Sequence, residues 1–241
     1  MARAFAREGA RVFLAGRTLQ TLDRVAGEIA ADGGKAETAP VDALDEAAVD
    51  RHTDVVAREA GGIDVCFNAI SHGDVHGTPL LEMASEDFAR PVTTAVRTQF
   101  LTTRASARHM LERGSGVILA ITATTARLTV PNVGGTGVAF DAIESLCRQW
   151  ARELGPRGIR VAWLRTTGIP DAIRDTGELQ PDYGAGRMTR EVHLGWMKAA
   201  TMLHRLTTLD EVADAAVFLA SDRAATMTAA GLNLSAGSVP D

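Results

Sequence analysis

Short apolar runs alternate along the chain with longer segments whose apolar positions recur at helical spacing, and the alternation continues from end to end. Residues 11–16 (RVFLAG) run into a turn. Leu22, Val25 and Ile29 then mark one helical face to about Ala31, with Thr18 expected as its cap. The same reading predicts a strand over 35–41, a helix over 45–60 and a strand over 63–67, the last bounded by Gly61-Gly62 and Asn68. A long helix over 86–112, a strand over 116–122, a helix over 138–154 and a strand over 159–164 follow. A helix over 210–220 and a strand over 230–234 close the pattern. Strands separated by helices of about ten residues or more pair in parallel, with helices packed on both faces of the sheet. The expectation is a doubly wound α/β fold in one domain, 1–241, since no repeat, linker or low-complexity tract divides it. Pro170, Pro181 and Gly184 break the rhythm around residues 171–206, which carry His193, Trp196 and Met202 on amphipathic pieces. An insertion after a late strand usually covers the crevice at the strands' carboxyl ends, so a lid is expected over 171–206.

Composition narrows the class. The 241 residues, 46% apolar, 23% charged and 5% aromatic at a mean hydropathy of +0.01, suffice for one sizeable core and exclude a disordered or fibrous chain. No stretch approaches the roughly 18–20 uninterrupted apolar residues of a membrane helix. Met1 to Ala10 carries Arg3, Arg7 and Glu8 in place of a signal-peptide apolar run, and a cytoplasmic protein without a membrane partner is expected. Cys66 and Cys147 lie away from any metal-ligand spacing and read as small buried hydrophobes, so neither a disulfide scaffold nor a metal site is predicted. A net charge of −5, a pI of about 5.7 and the lack of a basic cluster interleaved with aromatics argue against nucleic acid and for a small-molecule partner.

The segments AREGARVFLAGRT (6–18), VDALDEAAV (41–49), IDVCFNAI (63–70), HMLERGSGVIL (109–119), ARELGPRGIRV (151–161) and DEVADAAVFLASD (210–222) carry a pattern of order and spacing. That pattern resembles the short-chain dehydrogenase/reductase family over essentially the whole chain. The resemblance implies a Rossmann-like doubly wound parallel sheet that moves hydride between NAD(P)(H) and a carbonyl or alcohol. It implies cofactor contacts from Gly16, Arg17, Thr18, Asp42, Ala43, Asn68, Ala69, Arg165 and Thr167. Arg17 stands where a family member places a guanidinium against the adenosine 2′-phosphate, which favours NADP(H); a solvated cation near a helix start is the alternative. Asp42 matches the aspartate at the adenine edge and equally suits a turn. Asn68-Ala69-Ile70 replaces the family's Asn-Ala-Gly. Arg165, before Thr166-Thr167-Gly168, suits a bound phosphate or carboxylate, or an acidic neighbour. The family's opening strand and T-G-x-x-x-G-x-G turn have no counterpart ahead of Ala2 to Gly9. The sheet is therefore expected to lack its first strand and the glycine-rich phosphate cradle, which counts against cofactor binding by this chain. A missing central strand leaves unpaired edges and an apolar seam, so the natural chain is expected to start upstream of Met1.

The chemistry departs from the family as well. Carbonyl reduction needs a proton donor beside the hydride acceptor, and the family uses a tyrosine, a lysine, a serine and an asparagine. Counting back from Glu153-Leu154-Gly155, the tyrosine position falls on Thr136 and the lysine position on Phe140. Ala123 takes the serine position, with Thr122 and Thr124 as neighbouring hydroxyls, and Ala95 takes the asparagine position. Thr122, Thr124 and Thr136 remain as weak catalytic candidates, because an unactivated hydroxyl is a very poor acid near neutral pH. Tyr183, the one tyrosine, falls in the lid, where no shifted alignment restores the tyrosine–lysine pair. His72, Asp74 and His76 offer imidazoles and a carboxylate to a metal or a proton relay, while Gly73 and Gly77 favour a solvated flexible loop. His72, His76, His193 and Trp196 are the substrate-side candidates. Asp141 and Glu144, three apart on one helical face, give an acid–base pair or a solvated stripe, the latter being expected. Ile143, Leu146 and Trp150 suit either the core or the helix bundle through which the resembling family dimerises, and a homodimer or homotetramer is expected. The leading reading is an atypical NAD(P)(H)-dependent oxidoreductase acting on a small carbonyl or alcohol. A non-catalytic binding or regulatory subunit of the same fold, and a cofactor-independent lyase or isomerase using His72, His76 or Asp141, are the alternatives.

Overall fold

The computed structural model describes residues 1–173 and 179–240. Helix α1 (Ala2–Arg7) leads into β1 (Arg11–Gly16), α2 (Leu19–Ala31), β2 (Lys35–Pro40), α3 (Glu46–Ala60) and β3 (Val65–Asn68). Then come α4 (Ser85–Arg113), β4 (Gly116–Ala123), α5 (Thr136–Leu154), β5 (Ile159–Thr166), α6 (Arg190–Ala199), α7 (Leu209–Ala220) and β6 (Ala230–Leu234). Every pairing among these strands is parallel, in the orders β1-β2 and β3-β4-β5-β6. The architecture is the α/β one that the alternation predicts, and it is Rossmann-like as the resemblance implies.

Side chains of a strand point to alternate faces, and β4 and β5 use both. Ile118, Ala120, Val161 and Trp163 join Val56 of α3, Met110 of α4 and Ile143 of α5 in one core cluster. Val117, Leu119, Ala162 and Leu164 pack on the other face with Val212, Ala216 and Leu219 of α7. Burying each large apolar side chain contributes roughly 1.5–3 kcal/mol, so this double layer rigidly fixes the central strands and the loops at their ends. Among the described residues β1 pairs only with β2 and β3 only with β4. Half-buried Phe13 of β1 packs on the first cluster, whereas Val65 and Phe67 of β3 pack on the second together with Met1 and Phe5.

Local chemistry sets most helix ends. Asp45 accepts from the Ala48 amide at 3.0 Å to start α3, and Thr208 with Glu211 forms a capping box on α7. Left-handed Gly61 and Gly114 end α3 and α4. Thr18 departs from expectation: it occupies the N-cap position of α2, but its side chain makes no cap hydrogen bond. It is exposed there, where solvent can serve the first-turn amides.

Residues 174–178 of the expected lid lie outside the described residues. Of the rest, Gln180 and Met188 form an antiparallel bridge and α6 lies against the carboxyl end of β5, so closely that a side chain at Gly168 would collide with Met197. Among the described residues no helix is long and apolar enough to cross a membrane, and no group of three metal-ligating side chains gathers. Both cysteines are free thiols, Cys147 buried and Cys66 half-buried.

Candidate functional site

Three loops meet at the carboxyl ends of the strands. The loop after β3 brings His72, Asp74 and His76, the segment after β4 delivers Thr136 at the first turn of α5, and the stretch before α6 brings Tyr183. His76 bridges them, with Nδ1 at 3.2 Å from the Tyr183 hydroxyl and Nε2 at 2.9 Å from Thr136 Oγ1. Thr136 Oγ1 in turn donates to Asp74 Oδ1 at 3.2 Å.

Donor counting fixes the direction of this chain. An ionised carboxylate only accepts, and a threonine hydroxyl has one proton to give. With that proton on Asp74, Thr136 must accept from His76, so Nε2 carries the imidazole hydrogen. Nδ1 is then a bare lone pair that accepts from the Tyr183 hydroxyl. The neutral tautomer is thus assigned from the network. Burial pushes the His76 pKa below its ordinary value against an opposing pull from Asp74, and burial pushes the Tyr183 pKa up. Both shifts favour neutral groups at rest.

Backbone anchors hold the two loops together. The Gly77 amide donates to the Asn132 carbonyl at 2.8 Å, and Asn132 Nδ2 donates to the Asp182 carbonyl at 3.0 Å. Asn132 has a left-handed φ of 58°, which asparagine tolerates better than most residues. Asp182 Oδ1 accepts from the amides of Gly184 and Gly186 at 2.7 and 2.9 Å, closing the turn that presents Tyr183. Gly77, at φ +89°, lets the chains approach: a Cβ there would stand 3.2 Å from Pro181 Cβ and 3.3 Å from the Asp182 nitrogen.

The remaining candidates surround this chain. His193 is buried and stacked between Tyr183 (ring centroids 5.0 Å apart) and Trp196 (6.2 Å), and its Nδ1 has no partner among the described residues. His72 is buried edge-on against Phe140 at 5.6 Å. Burial lowers the pKa of both imidazoles. The expected solvated loop at 72–76 is corrected in part: His72 is buried and His76 is half-buried with both ring nitrogens hydrogen-bonded, whereas Gly73 and Asp74 are exposed.

The expected solvated stripe on α5 is corrected as well. Asp141 is exposed, but Glu144 is 0% exposed and lies against Arg165, which is 5% exposed. Arg165 donates from Nε to Oε1 and from Nη2 to Oε2, each at 2.8 Å; Thr122 Oγ1 adds a bond of 3.1 Å and Arg127 one of 3.3 Å. Thr122 thus spends its proton on Glu144, and Thr124 is buried in a short 3-10 turn, Thr124–Ala126, leading away from β4. A cavity of about 580 Å³ opens beside this cluster, lined by Arg127, Leu128, Arg165, Ser238, Val239 and Pro240 and by none of the relay residues.

The nucleotide-side candidates line the ends of β1, β2, β3 and β5. Arg17 is exposed after Gly16, with no side-chain hydrogen bond or ion pair among the described residues, and Thr18 and Ala43 flank the same edge. Asp42 spends one carboxylate oxygen on the Leu44 amide at 2.9 Å, the turn role. Asn68 is buried with Nδ2 unpartnered, Ala69 is exposed beside it, and Thr167 is buried beyond β5. An orphaned buried amide at the end of β3 and an unengaged guanidinium at the end of β1 fit the two ends of a dinucleotide.

Sequence reasoning missed Tyr183 as a partner of His76 and Glu144 as a buried counterion. The legible signal for the first was Asp182-Tyr183-Gly184-Ala185-Gly186, an aspartate followed by glycines, which is the composition of an anchored turn. No comparable local signal marks Glu144, whose partner Arg165 comes from the end of β5, 21 residues on.

Residues 1–238 match the family described as enoyl-(acyl carrier protein) reductase. A gluconate 5-dehydrogenase of Gluconobacter oxydans is 30% identical over 226 residues, covering 92% of this chain and 82% of its own. An L-rhamnose 1-dehydrogenase (NAD(P)+) of Azotobacter vinelandii is 32% identical over 249 residues, covering 98% and 90%. A crystal structure of NAD+-bound xylitol dehydrogenase superposes with a TM-score of 0.87 at 24% identity, over 98% of this chain and 92% of that one, a likeness of fold.

Proposed function

The chain belongs to the short-chain dehydrogenase/reductase family, and on that premise we propose that it is an NAD(P)(H)-dependent oxidoreductase of a small alcohol or carbonyl, using a proton carrier other than a tyrosine–lysine pair. One observation carries the reading. Thr136, at the position that aligns with the family's tyrosine, is not an isolated hydroxyl but part of the hydrogen-bonded chain linking Tyr183, His76 and Asp74. Proton exchange therefore has a route at the expected place despite the replacements there.

Arg17 favours NADP(H), with Gly16, Thr18 and Ala43 beside it, and Asn68, Ala69 and Thr167 are the residues that would hold the nicotinamide side. When bound, the nicotinamide supplies the hydride acceptor or donor, leaving the protein only the hydroxyl proton to manage. His72, His76, His193 and Trp196 bound the substrate, with residues 179–206 acting as its lid. Arg165 serves by fixing Glu144. Gluconate and L-rhamnose, named for the relatives, are the first compounds to test. Self-association as a homodimer or homotetramer is supported by Val96 and Phe100, exposed on α4, with Phe100 stacked on Trp150 of α5 at 5.7 Å.

Calorimetric titration of the purified protein with NADP+ and NAD+, followed by the ultraviolet absorbance of reduced nicotinamide with each sugar, tests the reading. Saturable binding with NADP+ preferred, and turnover of at least one compound, is expected. A folded chain that binds neither nucleotide would refute the redox assignment and leave the non-catalytic subunit.

A further inference from the structure

We propose that Tyr183 is the acid–base catalyst of this site and that His76, Thr136 and Asp74 carry its proton outward, which sets the site for alcohol oxidation. The inference rests on the oxidoreductase reading and adds the identity of the proton carrier and its resting polarity.

The polarity comes from the two ends of the chain. Asp74 is exposed and accepts; Tyr183 is half-buried and donates inward to His76 Nδ1. Each intermediate group both accepts and donates, so one concerted shift moves a proton across every link. As the alcohol O–H bond breaks, its proton bonds to the Tyr183 oxygen while the Tyr183 proton passes to His76 Nδ1. The Nε2 proton passes to Thr136 Oγ1, and the Thr136 proton passes to Asp74 and on to water. An oxidised nicotinamide held by Arg17 and Asn68 would supply the hydride acceptor, and the oxygen's electron pair would then close the second C–O bond. The sum is alcohol plus oxidised nicotinamide giving carbonyl, reduced nicotinamide and one proton. Reduction needs the three hydrogens of the chain turned the other way, with Nδ1 protonated and a proton entering at Asp74, which the resting network opposes.

The surroundings support this polarity. Burial keeps His76 neutral with its lone pair available and keeps the phenol protonated. The charged and titratable groups near the chain are few among the described residues. Asp74 lies on the same loop as buried His72, which it faces electrostatically, Asp182 is engaged by the Gly184 and Gly186 amides, and His193 stacks on Tyr183. Arg90 of α4 packs beside Gly73 and pairs with Asp87. None of these is a cation placed to hold a tyrosinate, so the phenol acts through His76.

Imidazole nitrogen NMR on the isotope-labelled, nucleotide-free protein tests the network without turnover. His76 is expected neutral at neutral pH with hydrogen on Nε2, and Tyr183→Phe should move the Nδ1 resonance towards that of a free lone pair while preserving the tautomer. Hydrogen on Nδ1, or a charged imidazole, would overturn the proposal. Kinetically, Tyr183→Phe should lower kcat for oxidation by about 10²- to 10⁴-fold with little change in KM. Asp74→Asn should lower kcat for oxidation more than for reduction. His76→Ala should lose the same factor and recover part of it with added imidazole, a rescue that a merely structural role does not give. Wild-type turnover retained by Tyr183→Phe sinks the relay and leaves the oxidoreductase reading standing. No turnover by the wild type with any nucleotide sinks that reading, and the catalytic role of Tyr183 falls with it.

Discussion

Glu144 offers the sharpest test of how the site is built, because its surroundings reverse what its sequence position suggests. A carboxylate on a solvated helical stripe contributes little, and its exposed ion pairs are worth about 0–1 kcal/mol. Here the carboxylate is fully buried; Oε1 accepts from Arg165 Nε and Thr122, and Oε2 accepts from Arg165 Nη2 and Arg127. Glu144→Leu removes the carboxylate that accepts from Arg165 Nε and Nη2, in a site where the guanidinium is 5% exposed. Stripping one partner from a buried pair costs up to about 3–5 kcal/mol. Against a total stability of roughly 5–15 kcal/mol for a domain, that is a large fraction. Arg165→Met should cost less, since half-exposed Arg127 still neutralises the carboxylate and Thr122 still donates to it.

The double variant Glu144→Leu/Arg165→Met removes both charges and refills the space with apolar atoms. It should lie within about 2 kcal/mol of the wild type and above Glu144→Leu alone, since apolar replacement of an entire buried pair is often neutral. Urea unfolding of the four proteins with a shared m-value gives the cycle. A Glu144→Leu cost below about 1 kcal/mol, the exposed-pair value, would refute the burial argument. So would a double variant that loses the sum of the singles.

Arg17→Glu should weaken NADP+ binding by about tenfold or more relative to NAD+, because a charge-assisted phosphate contact is worth about 1.5–3 kcal/mol; equal losses for the two nucleotides in calorimetry would count against the 2′-phosphate role. Cys147, whose thiol is pushed up to about 12 by burial and by Glu144, should stay unreactive towards a disulfide reagent in mildly alkaline buffer until the chain unfolds. Labelling at the rate of the unfolded chain would contradict that. Glu211 is held down from an ordinary 4.5 to about 2 by hydrogen bonds from Arg205 and the Thr208 amide. A depressed folded-state pKa stabilises the protein above 4.5, and the contribution is lost as pH falls through 4.5 towards 2. Glu211→Gln should therefore unfold at a lower denaturant midpoint than the wild type at neutral pH and converge with it near pH 2; a constant difference across that range would refute the assignment.

The fold was legible because its signals are local and periodic. The run at 116–122 and the helical spacing of Ile143 with its neighbours each report burial on one face, and β4 and α5 lie where those patterns put them. Boundaries shifted by a residue or two where the ladder decides: Ile63 is buried, yet pairing in β3 begins at Val65. The site was only half legible. His76 and Thr136 could be named from position and residue type, but their joining depends on loops 60 residues apart meeting at 2.9 Å. Glu144 is paired with Arg165 at the far end of β5, the next strand along the chain, and periodicity on α5 alone does not identify that partner. Thr18 failed for the opposite reason, since a good capping residue type does not guarantee a cap where the amides are open to solvent.

An acid carried by the stretch before α6 would have a mechanical consequence. If Tyr183 is brought to His76 by the join at Gly77, Asn132 and Asp182, then kcat depends on that join even though none of these residues carries the proton. Gly77→Ala tests this, because an L residue at φ +89° is strained and its Cβ would press on Pro181 and the Asp182 amide. The displacement needed is a few tenths of an ångström or more, and misplacement of a reacting group by about 1 Å can cost about 10²-fold in rate. Gly9→Ala is the matched control, with φ +87° and no atom within 4 Å of the new Cβ. Both variants pay a similar backbone strain, so their stabilities should fall together. Only Gly77→Ala should also lower kcat by about tenfold or more, while its His76 retains hydrogen on Nε2. Equal kcat in the two variants would mean that the join does not position the phenol, and that residues 179–189 cover the site without taking part in its chemistry.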